Sequence, residues 1–348
     1  CTLDPVFNSA TTEYSCTVKN SVTSVNVNAT ATSSKSKVRG LGTKDLVEGK
    51  NTLPIRVIAE DGSEKIYNVN VTRKREATLL KNEIMKNTVI TANPTLTTSS
   101  NNTSDASGLY SSTVTNTGEA TYYFRGNVEN NYVSFAGQTW RIVRVNEDGT
   151  IRIVMQDGIN SNANIAFNSS RNNYTYMYYT NSQAKTQLES WYQTNIGSKS
   201  YLAKNVASGS YYCEQAKAKW TDGLTSGSAT MTTYNKYTPD FKCSSDGNGK
   251  GVVSSSVGLL SYDEVVYAGG YYGQSNSNYY LNSNISYWTM SPAGFSGSSS
   301  YDWCVNAAGN VDYYSVNATF RLRAVLNLNA DTQISDGDGT KENPFVVE

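Results

Sequence analysis

The sequence predicts a protein that is mainly β with some α, in which a small β-sandwich is followed by a larger α+β domain. Short apolar runs with alternating side chains recur between turns rich in Gly, Asn and Ser, which is typical of β-strands. Two segments, 181–195 and 258–270, carry apolar residues at helical spacing. Only 17% of the residues are charged. The mean hydropathy of −0.48 therefore reflects Asn, Ser and Thr.

Charge and residue counts exclude several classes of function. Lys and Arg together number 29, as do Asp and Glu, so no net charge favours nucleic acid or an anionic membrane. No apolar run reaches the roughly 18 residues of a membrane-spanning helix. The absence of histidine removes Ser–His and Cys–His catalysis and His-based metal ligation. Tyrosines number 26 against 8 phenylalanines, which favours a wet recognition surface.

Residues 1–74 are predicted to form the small β-sandwich, because four apolar runs alternate with a period of two. The last two runs are joined at residues 60–63 by Glu-Asp-Gly-Ser, a sequence typical of a hairpin turn. This unit resembles the bacterial cadherin-like β-sandwich family through LDPVFNSATTEYSCTV and GLGTKDLVEGKNTLPIRVIAEDGSEKIYNVNVTR. The resemblance implies an Ig-like spacer without chemistry of its own, at the bacterial cell surface.

Five cysteines without a CxxC pair favour disulfides in an oxidising compartment over a zinc site. Cys1 and Cys16 have inward parity in their strands, which are neighbours in the resembling family. We expect a Cys1–Cys16 disulfide, whose loop of about 15 residues would contribute about 3 kcal/mol. Two buried free thiols, or a lipid anchor on Cys1, are the alternatives. The chain opens within a strand and without a signal peptide, as expected of a mature fragment.

Residues 75–108 are predicted to be a connector, with a short helix carrying Ala77, Leu80 and Ile84 on one face and then a polar loop. Residues 109–348 are predicted to form the second domain. Its expected elements are strands at 121–125, 132–135, 140–145 and 151–155, an amphipathic helix at 181–195, and a second helix that ends at Gly269.

A loop-like insertion is predicted at about 198–251, and it carries Cys213 and Cys243. A loop of that length is unusual in a compact domain unless something holds it. A Cys213–Cys243 disulfide would do so, and it would leave Cys304 as the free cysteine.

Strands, two helices, a long loop region and terminal strands are the layout of a C-type-lectin-like α+β fold. Residues 109–348 resemble a family of surface domains of Gram-positive bacteria related to the C-type-lectin-like and formylglycine-generating-enzyme-like folds. The resemblance depends on TYYFRGNVENNYVSFAGQTWRIVRVNEDGTIRIV, GLLSYDEVVYAGG, YWTMSP and VLNLNADTQISDGDGTKENPFVV. Where that family commonly has Gly-Val-Arg-Pro, this chain has Arg-Leu-Arg-Ala at 321–324.

The segment 287–328 is predicted to be the binding surface. Two strands flank a polar stretch with a hairpin turn at 307–310, and its Tyr, Ser, Asn and Gly are the composition of a paratope. An ordinary polar loop is the alternative. Trp288, Met290 and Trp303 are assigned to the core, and Cys304 to the polar face of its strand. The predicted ligand-binding residues, on one exposed face or at its border, are Tyr271, Tyr272, Tyr279, Tyr280, Phe295, Ser299, Ser300, Tyr301, Asp302, Cys304, Asp312, Tyr313, Tyr314 and Phe320.

No catalytic residue, cofactor or metal is expected. A formylglycine-generating-enzyme-like oxidase, the alternative from the resemblance, would need a pair of reactive cysteines, and only Cys304 lies late in the fold. Asp331, Asp336 and Asp338 suggest calcium, but the later ligands of an EF-hand loop are missing, and the glycines between them favour a turn.

The resemblance also implies an origin for the segment 287–328. C-type-lectin-like domains are the usual scaffold of diversity-generating retroelements, which mutate template adenines, so that Asn codons become Tyr, Ser, Asp, Cys, Phe, Gly or Ala. The predicted contact residues within 287–328 belong to that set, and the segment lacks Lys, Glu and Gln. A generic surface loop that lost Lys and Glu by drift is the alternative.

Together these features predict a non-enzymatic extracellular adhesin or receptor-type protein. Its expected partner is a protein or glycan ligand on another cell or surface, with no nucleic acid and no membrane insertion. A structural cell-surface module without a dedicated ligand is the second interpretation.

Overall fold

A computed structural model describes residues 1–94, 96, 105–209, 211–214, 239–243, 251–296 and 298–348. The chain divides into two compact units, Cys1–Thr78 and Leu79–Glu348, and is mainly β. Much of the polar loop predicted near residue 100, and most of the predicted insertion at 198–251, lie outside the described residues. No helix of the described residues is long and apolar enough to span a membrane.

Unit 1 is a β-sandwich, as predicted. Its strands are β1 (Glu13–Val18), β2 (Ser24–Val27), β3 (Lys37–Arg39), β4 (Gly42–Asp45), β5 (Gly49–Ile58) and β6 (Glu64–Arg73). One sheet has the order β1-β6-β5-β3, with β1 parallel to β6, and the other pairs β2 with β4. The hairpin turn predicted at 60–63 is confirmed, because the Ala59 N–H donates to the Ser63 carbonyl at 2.9 Å. Cys1 and Cys16 form the expected disulfide.

Unit 2 contains short helices and many strands. The helical segments are α1 (Leu80–Ile84), α2 (Ile159–Asn162), α3 (Gln183–Tyr192), α4 (Ser200–Ala203) and α5 (Tyr262–Ala268). The strands are β7 (Thr78–Leu79), β8 (Val89–Ile90), β9 (Gly108–Ser112), β10 (Thr121–Arg125), β11 (Tyr132–Phe135), β12 (Gln138–Val145), β13 (Ile151–Met155), β14 (Ile165–Ala166), β15 (Tyr211–Cys213), β16 (Val252–Ser254), β17 (Tyr287–Ser296), β18 (Ser299–Val305), β19 (Val311–Ser315), β20 (Thr319–Phe320), β21 (Val325–Leu328), β22 (Gln333–Asp336) and β23 (Phe345–Val347).

One large sheet organises the core of unit 2. Its strands β22, β23, β11, β12, β10, β9 and β8 are successive neighbours, and β13 bridges β12 and β21. The helix predicted at 181–195 is confirmed as α3, and its Ala184, Leu188 and Trp191 are buried as the helical spacing requires. The Trp191 ring lies 6.2 Å from that of Trp140 on β12, so the helix packs on this sheet.

The predicted connector helix belongs to the second unit. Helix α1 buries Leu80 and Ile84, which are 0% and 1% exposed, and the Leu80 N–H donates to the Thr332 carbonyl at 2.9 Å. The apolar face was visible in the sequence. Its packing partner was not, because periodicity shows that a face is buried and does not show against what.

Strands β17, β18 and β19 form a separate antiparallel sheet, called the display sheet below. The turn predicted at 307–310 is confirmed, since the Asn306 N–H donates to the Asn310 carbonyl at 2.9 Å and Gly309 adopts a φ of +76°. A Cβ at Gly309 would meet the Asn276 carbonyl oxygen at 1.8 Å, so only glycine fits this turn. Helix α5 confirms the second predicted helix, with Gly269 at its end.

Candidate functional site

The two faces of the display sheet carry different residues of the predicted site. Opposite partners in an antiparallel pair share a face, and the register joins Trp303 to Tyr313 and Tyr301 to Ser315 on one face. It places Asp302 opposite Tyr314, and Cys304 opposite Asp312, on the other. The expectation that Tyr301, Asp302, Tyr313 and Tyr314 lie on one face is therefore wrong, because neighbouring strand residues point to opposite sides.

On the first face, three half-buried tyrosines surround a buried tryptophan. Trp303 is fully buried, and its ring lies 5.8 Å from Tyr313 and 5.3 Å from Tyr272. Tyr301 meets Tyr313 edge to face at 5.9 Å, and Tyr272 stacks on Tyr313 at 6.0 Å. We call Tyr272, Tyr301 and Tyr313 the Tyr301 row. Aromatic pairs at these separations add about 0.5–1.5 kcal/mol beyond area burial, so the row is held in place.

Tyr272 joins this row because its segment runs along the edge of the display sheet. The Val311 N–H donates to the Tyr271 carbonyl at 3.2 Å, and the Gly273 N–H donates to the Val311 carbonyl at 3.3 Å. The backbone of 271–274 therefore continues the sheet beyond β19. Tyr271, at the start of this segment, is 7% exposed.

On the second face, Tyr314 and Phe320 form a smaller aromatic set, called the Tyr314 pair. Their rings meet edge to face at 5.2 Å, and Phe320 lies 4.8 Å from the ring of the buried Trp288. The Trp288 Nε1–H donates to the Ile165 carbonyl at 3.1 Å, which fixes the ring beneath the pair. Tyr314 is 42% exposed, the most open of the predicted contact residues.

Half of the predicted contact residues are buried, which corrects the expected exposure. Phe295 and Asp312 are half-buried, as are Phe320 and the Tyr301 row. The buried members are Tyr271, Tyr279, Tyr280, Ser299, Ser300, Asp302 and Cys304. Trp288, Met290 and Trp303 are at most 1% exposed, as predicted for the core.

The burial has an identifiable cause, because other parts of unit 2 pack on each face of the display sheet and cover part of it. Tyr262 of α5 packs 4.7 Å from Trp303 on the first face, and Phe167 packs 5.8 Å from Trp288 on the second. The Ser300 N–H donates to the Arg171 carbonyl at 2.7 Å under the same cover. In an antiparallel sheet with one face in water, the side chains of Ser300 and Asp302 would have been exposed to solvent.

Tyr279 and Tyr280 are structural rather than bordering residues. The Tyr279 hydroxyl donates to the Gly309 carbonyl at 3.2 Å, which links it to the hairpin turn. The ring of Tyr280 lies 5.2 Å from the Arg141 guanidinium. Burial raises the pKa of both phenols above the ordinary value.

Cys304 lies inside the domain, not on a polar strand face. It is 0% exposed and stands between Trp288 and Asp312 in the register. Burial, with the nearby Asp312 and Asp302, raises the pKa of its thiol well above the ordinary value. Cys213 and Cys243 form the predicted disulfide, and Cys304 is the free cysteine, as expected. A protonated, buried thiol is a poor nucleophile.

Asp302 is the most unusual group of the site. It is fully buried, its Oδ1 accepts the Trp303 N–H at 2.7 Å, and its Oδ2 has no hydrogen-bond partner among the described residues. Burial raises the pKa of this carboxyl well above its ordinary value, and the nearby Glu214 raises it further. The folded protein therefore holds a proton on Asp302 in conditions where the unfolded chain releases it.

Replacing Asp302 by asparagine is expected to stabilise the protein by about 1–3 kcal/mol near pH 7, because the wild-type carboxyl must take up a proton on folding and the neutral amide does not. Because the folded pKa lies above the unfolded one, the wild-type protein loses stability as pH rises from the ordinary Asp pKa towards the folded value. The stabilisation by Asp302→Asn should therefore become smaller at acid pH. Denaturant unfolding at several pH values measures the stabilisation and its pH dependence.

Asp312→Asn is the control, because the Asp312 Oδ1 also accepts the N–H of the next residue, at 2.8 Å, but its side chain is only half-buried. We expect a change within about 0.5 kcal/mol there. Equal effects of the two substitutions, or a gain at Asp302 that is independent of pH, would contradict the buried-proton interpretation.

Unit 2 contains a buried ion cluster of Glu264, Arg144 and Arg152, which was not predicted from the sequence. The Glu264 Oε1 accepts from Arg152 Nη1 at 2.5 Å and from Arg144 Nε at 3.3 Å, and all three side chains are at most 4% exposed. The Glu264 Oε2 accepts the Ser261 N–H, completing a capping box at the start of α5. Two sequence features indicate this cluster, the Ser-x-x-Glu spacing and arginines within otherwise apolar strands.

Among the described residues, no group of three or more Asp, Glu, Cys or His could hold a metal ion.

Comparison with family models gives a match for the first unit. Residues 1–74 match the family model of the cadherin-like beta sandwich domain. Searches of curated proteins and of solved structures found no match. The cadherin-like domain, with the two disulfides, is consistent with an extracellular module of the adhesion type.

Proposed function

We propose that this protein is a non-enzymatic, extracellular ligand-binding protein of the adhesin or receptor type at the bacterial cell surface. In this proposal the cadherin-like unit is the spacer and residues 109–348 are a C-type-lectin-like head. One observation carries the proposal. Each face of the display sheet presents partly exposed aromatic rings, and a fully buried tryptophan supports each set.

This arrangement has the properties of a binding surface. Tyrosine offers a large contact area with few rotatable bonds, and the aromatic contacts already fix the rings of the Tyr301 row. A ligand would therefore bind rings that are already ordered, so little side-chain conformational entropy would be lost on binding. The rings of the Tyr301 row and of Tyr314 offer apolar faces and hydroxyl groups, which favours a ligand that presents apolar and neutral hydrogen-bonding groups, such as a glycan or a protein surface.

Catalysis by a pair of thiols does not fit the cysteines. Four of the five cysteines are in disulfides, and the fifth, Cys304, is fully buried. The oxidase alternative would need two accessible thiols in one place. We therefore favour binding over oxidation.

In this proposal, retroelement diversification changes fewer positions of 287–328 than the mutation of adenines alone would allow. Replacing a fully buried residue such as Ser300 or Asp302 changes packing and stability, whereas Tyr301, Tyr313, Tyr314 and Phe320 can change with less damage. A near-identical repeat of the segment encoding 287–328, differing at adenines beside a reverse transcriptase gene, would support this origin. An isolated gene would contradict it.

The binding proposal predicts that loss of surface rings weakens binding. An array of purified glycans and immobilised mucin would be probed with the wild-type protein, with Tyr301→Ala/Tyr313→Ala and with Tyr314→Ala/Phe320→Ala. We expect at least one double variant to lose about tenfold or more in affinity for whichever probe the wild type binds, as for aromatic hot spots. The two variants also show which face of the display sheet makes the contact.

Tyr201→Ala is the matched control, because Tyr201 is an exposed tyrosine of α4, at 64% exposure. It should bind like the wild type. Wild-type binding that neither double variant weakens would contradict the assignment to the display sheet, and a complete lack of binding would favour the structural-module interpretation.

A further inference from the structure

Unit 1 contains a cavity that its sequence leaves unfilled. One part of the sandwich is packed around Cys16, Leu46 and Val71, all at most 7% exposed. Elsewhere between the strands lies an open cavity of about 190 Å³. Its lining includes Phe7, Tyr14, Ile55, Val57, Tyr67 and Val69.

The local sequence explains why the cavity stays open. Strand β2 ends at Val27, and the following residues, which line one wall, include the small side chains of Ala29 and Ala31. Opposite them, Ile55 and Val57 point inward from the long strand β5. Small residues facing β-branched ones leave a gap that the sandwich cannot close without moving a strand.

The aromatic wall of the cavity is held rigidly. Phe7 stacks on Tyr14 at 5.7 Å and lies 6.0 Å from Tyr67. The Tyr14 hydroxyl donates to the Thr11 carbonyl at 2.9 Å, and the Tyr67 hydroxyl donates to the Ser9 carbonyl at 2.9 Å. With both hydroxyls bonded to the backbone, the two tyrosines offer their ring surfaces to the cavity. Phe7 is 61% exposed, so one edge of this wall meets solvent.

We propose that this cavity binds a free, uncharged small molecule built on one aromatic ring or one fused ring pair, of the phenol or indole class. The volume sets the size, since an apolar cavity of about 150 Å³ takes one benzene. The lining sets the charge, because it contains no Asp, Glu, Lys or Arg, and the neighbouring Lys65 ammonium already donates to the Ser9 carbonyl beside the Tyr67 ring. Ser9, Asn28, Thr30 and Thr32 supply neutral partners for a single hydroxyl or N–H on the ring.

Titration of the full chain with phenol and with indole, followed by NMR, tests the proposal. We expect saturable binding, with ligand-to-protein Overhauser contacts to the methyl groups of Val57 and Val69. Benzoate, which has the same ring and a negative charge, should bind about tenfold more weakly or worse, because its carboxylate would be desolvated among neutral lining groups while the Lys65 ammonium stays bonded to the Ser9 carbonyl. Contacts to other surfaces, or equal affinity for benzoate, would overturn the proposal.

Val57→Phe fills the cavity and should weaken phenol binding by about tenfold or more. Ile66→Phe is the matched control on the paired strand β6, at a residue 41% exposed and outside the lining, and it should bind phenol like the wild type. Should Val57→Phe fail to fold, the Overhauser contacts decide alone. Tighter binding of N-acetyltyrosinamide than of phenol would overturn the free-ligand assignment, because it would mean that the ring arrives on a polypeptide.

Discussion

Glu264→Gln is expected to destabilise unit 2 by about 3–5 kcal/mol, because it removes the buried carboxylate that Arg152 and Arg144 share and leaves Glu147, 3.5 Å from Arg144, as the acidic partner. Glu264 is 3% exposed, and its carboxylate faces the buried guanidinium groups of Arg144 and Arg152. The amide could keep the capping bond to Ser261 but not the charge. All five tryptophans lie within 79–348, so tryptophan fluorescence during denaturant unfolding reports on this unit alone.

The same substitution should change the acid response. Burial alone would raise the pKa of Glu264, but Arg152 and Arg144, with the bond from Ser261, hold it below the ordinary value. A carboxyl with a lowered folded pKa stabilises the protein above its unfolded pKa, and that contribution is lost as pH falls through the folded value. The difference in the free energy of unfolding between the wild type and Glu264→Gln should therefore become smaller at acid pH.

Glu189→Gln is the control for this experiment. Glu189 pairs with Lys185 one turn away on α3, but its side chain is 43% exposed. Exposed pairs contribute roughly 0–1 kcal/mol, so the same chemical change should have a small effect there. Similar losses at both glutamates would contradict the role assigned to the buried cluster.

Trp303→Ala is expected to cost about 3–5 kcal/mol, the usual range for removing a large buried aromatic side chain. Trp303 is 0% exposed and packs between Tyr262 of α5 and the Tyr301 row. The cavity left behind removes the support of Tyr272 and Tyr313, so ligand binding through that row should also weaken. Fluorescence-detected unfolding and NMR of the tyrosine rings measure the two effects separately.

Tyr314→Ala serves as the comparison within the same sheet. Its ring is 42% exposed, so its removal should cost well under half of the Trp303 value. A loss of less than about 1 kcal/mol at Trp303 would mean that the display sheet does not depend on this ring. Unchanged tyrosine signals in Trp303→Ala would contradict its role as the support of the row.

The sequence predicts best the turns and helices that depend on residues close together in the chain. The turns at 60–63 and 307–310 need glycine at positive φ, and helix α3 needs apolar residues at helical spacing; both patterns lie within a few residues. The two disulfides were also predicted, Cys1–Cys16 from strand parity together with the family resemblance, and Cys213–Cys243 from the need to hold a long insertion. The cadherin-like character of the first unit is visible in residues 1–74, which match the family model.

Only the tertiary structure decided which display residues reach solvent. Strand parity correctly separates Trp303 from Asp302, but it cannot say whether the second face is wet. Here Phe167 and the 171–173 backbone cover that face, more than 100 residues away in sequence, and so Asp302, Cys304 and Ser300 are buried. The ion cluster on Glu264 has the same origin, since its arginines come from β12 and β13. Burial is a property of what packs against a residue, and the residues that do so are set by the fold of the whole domain.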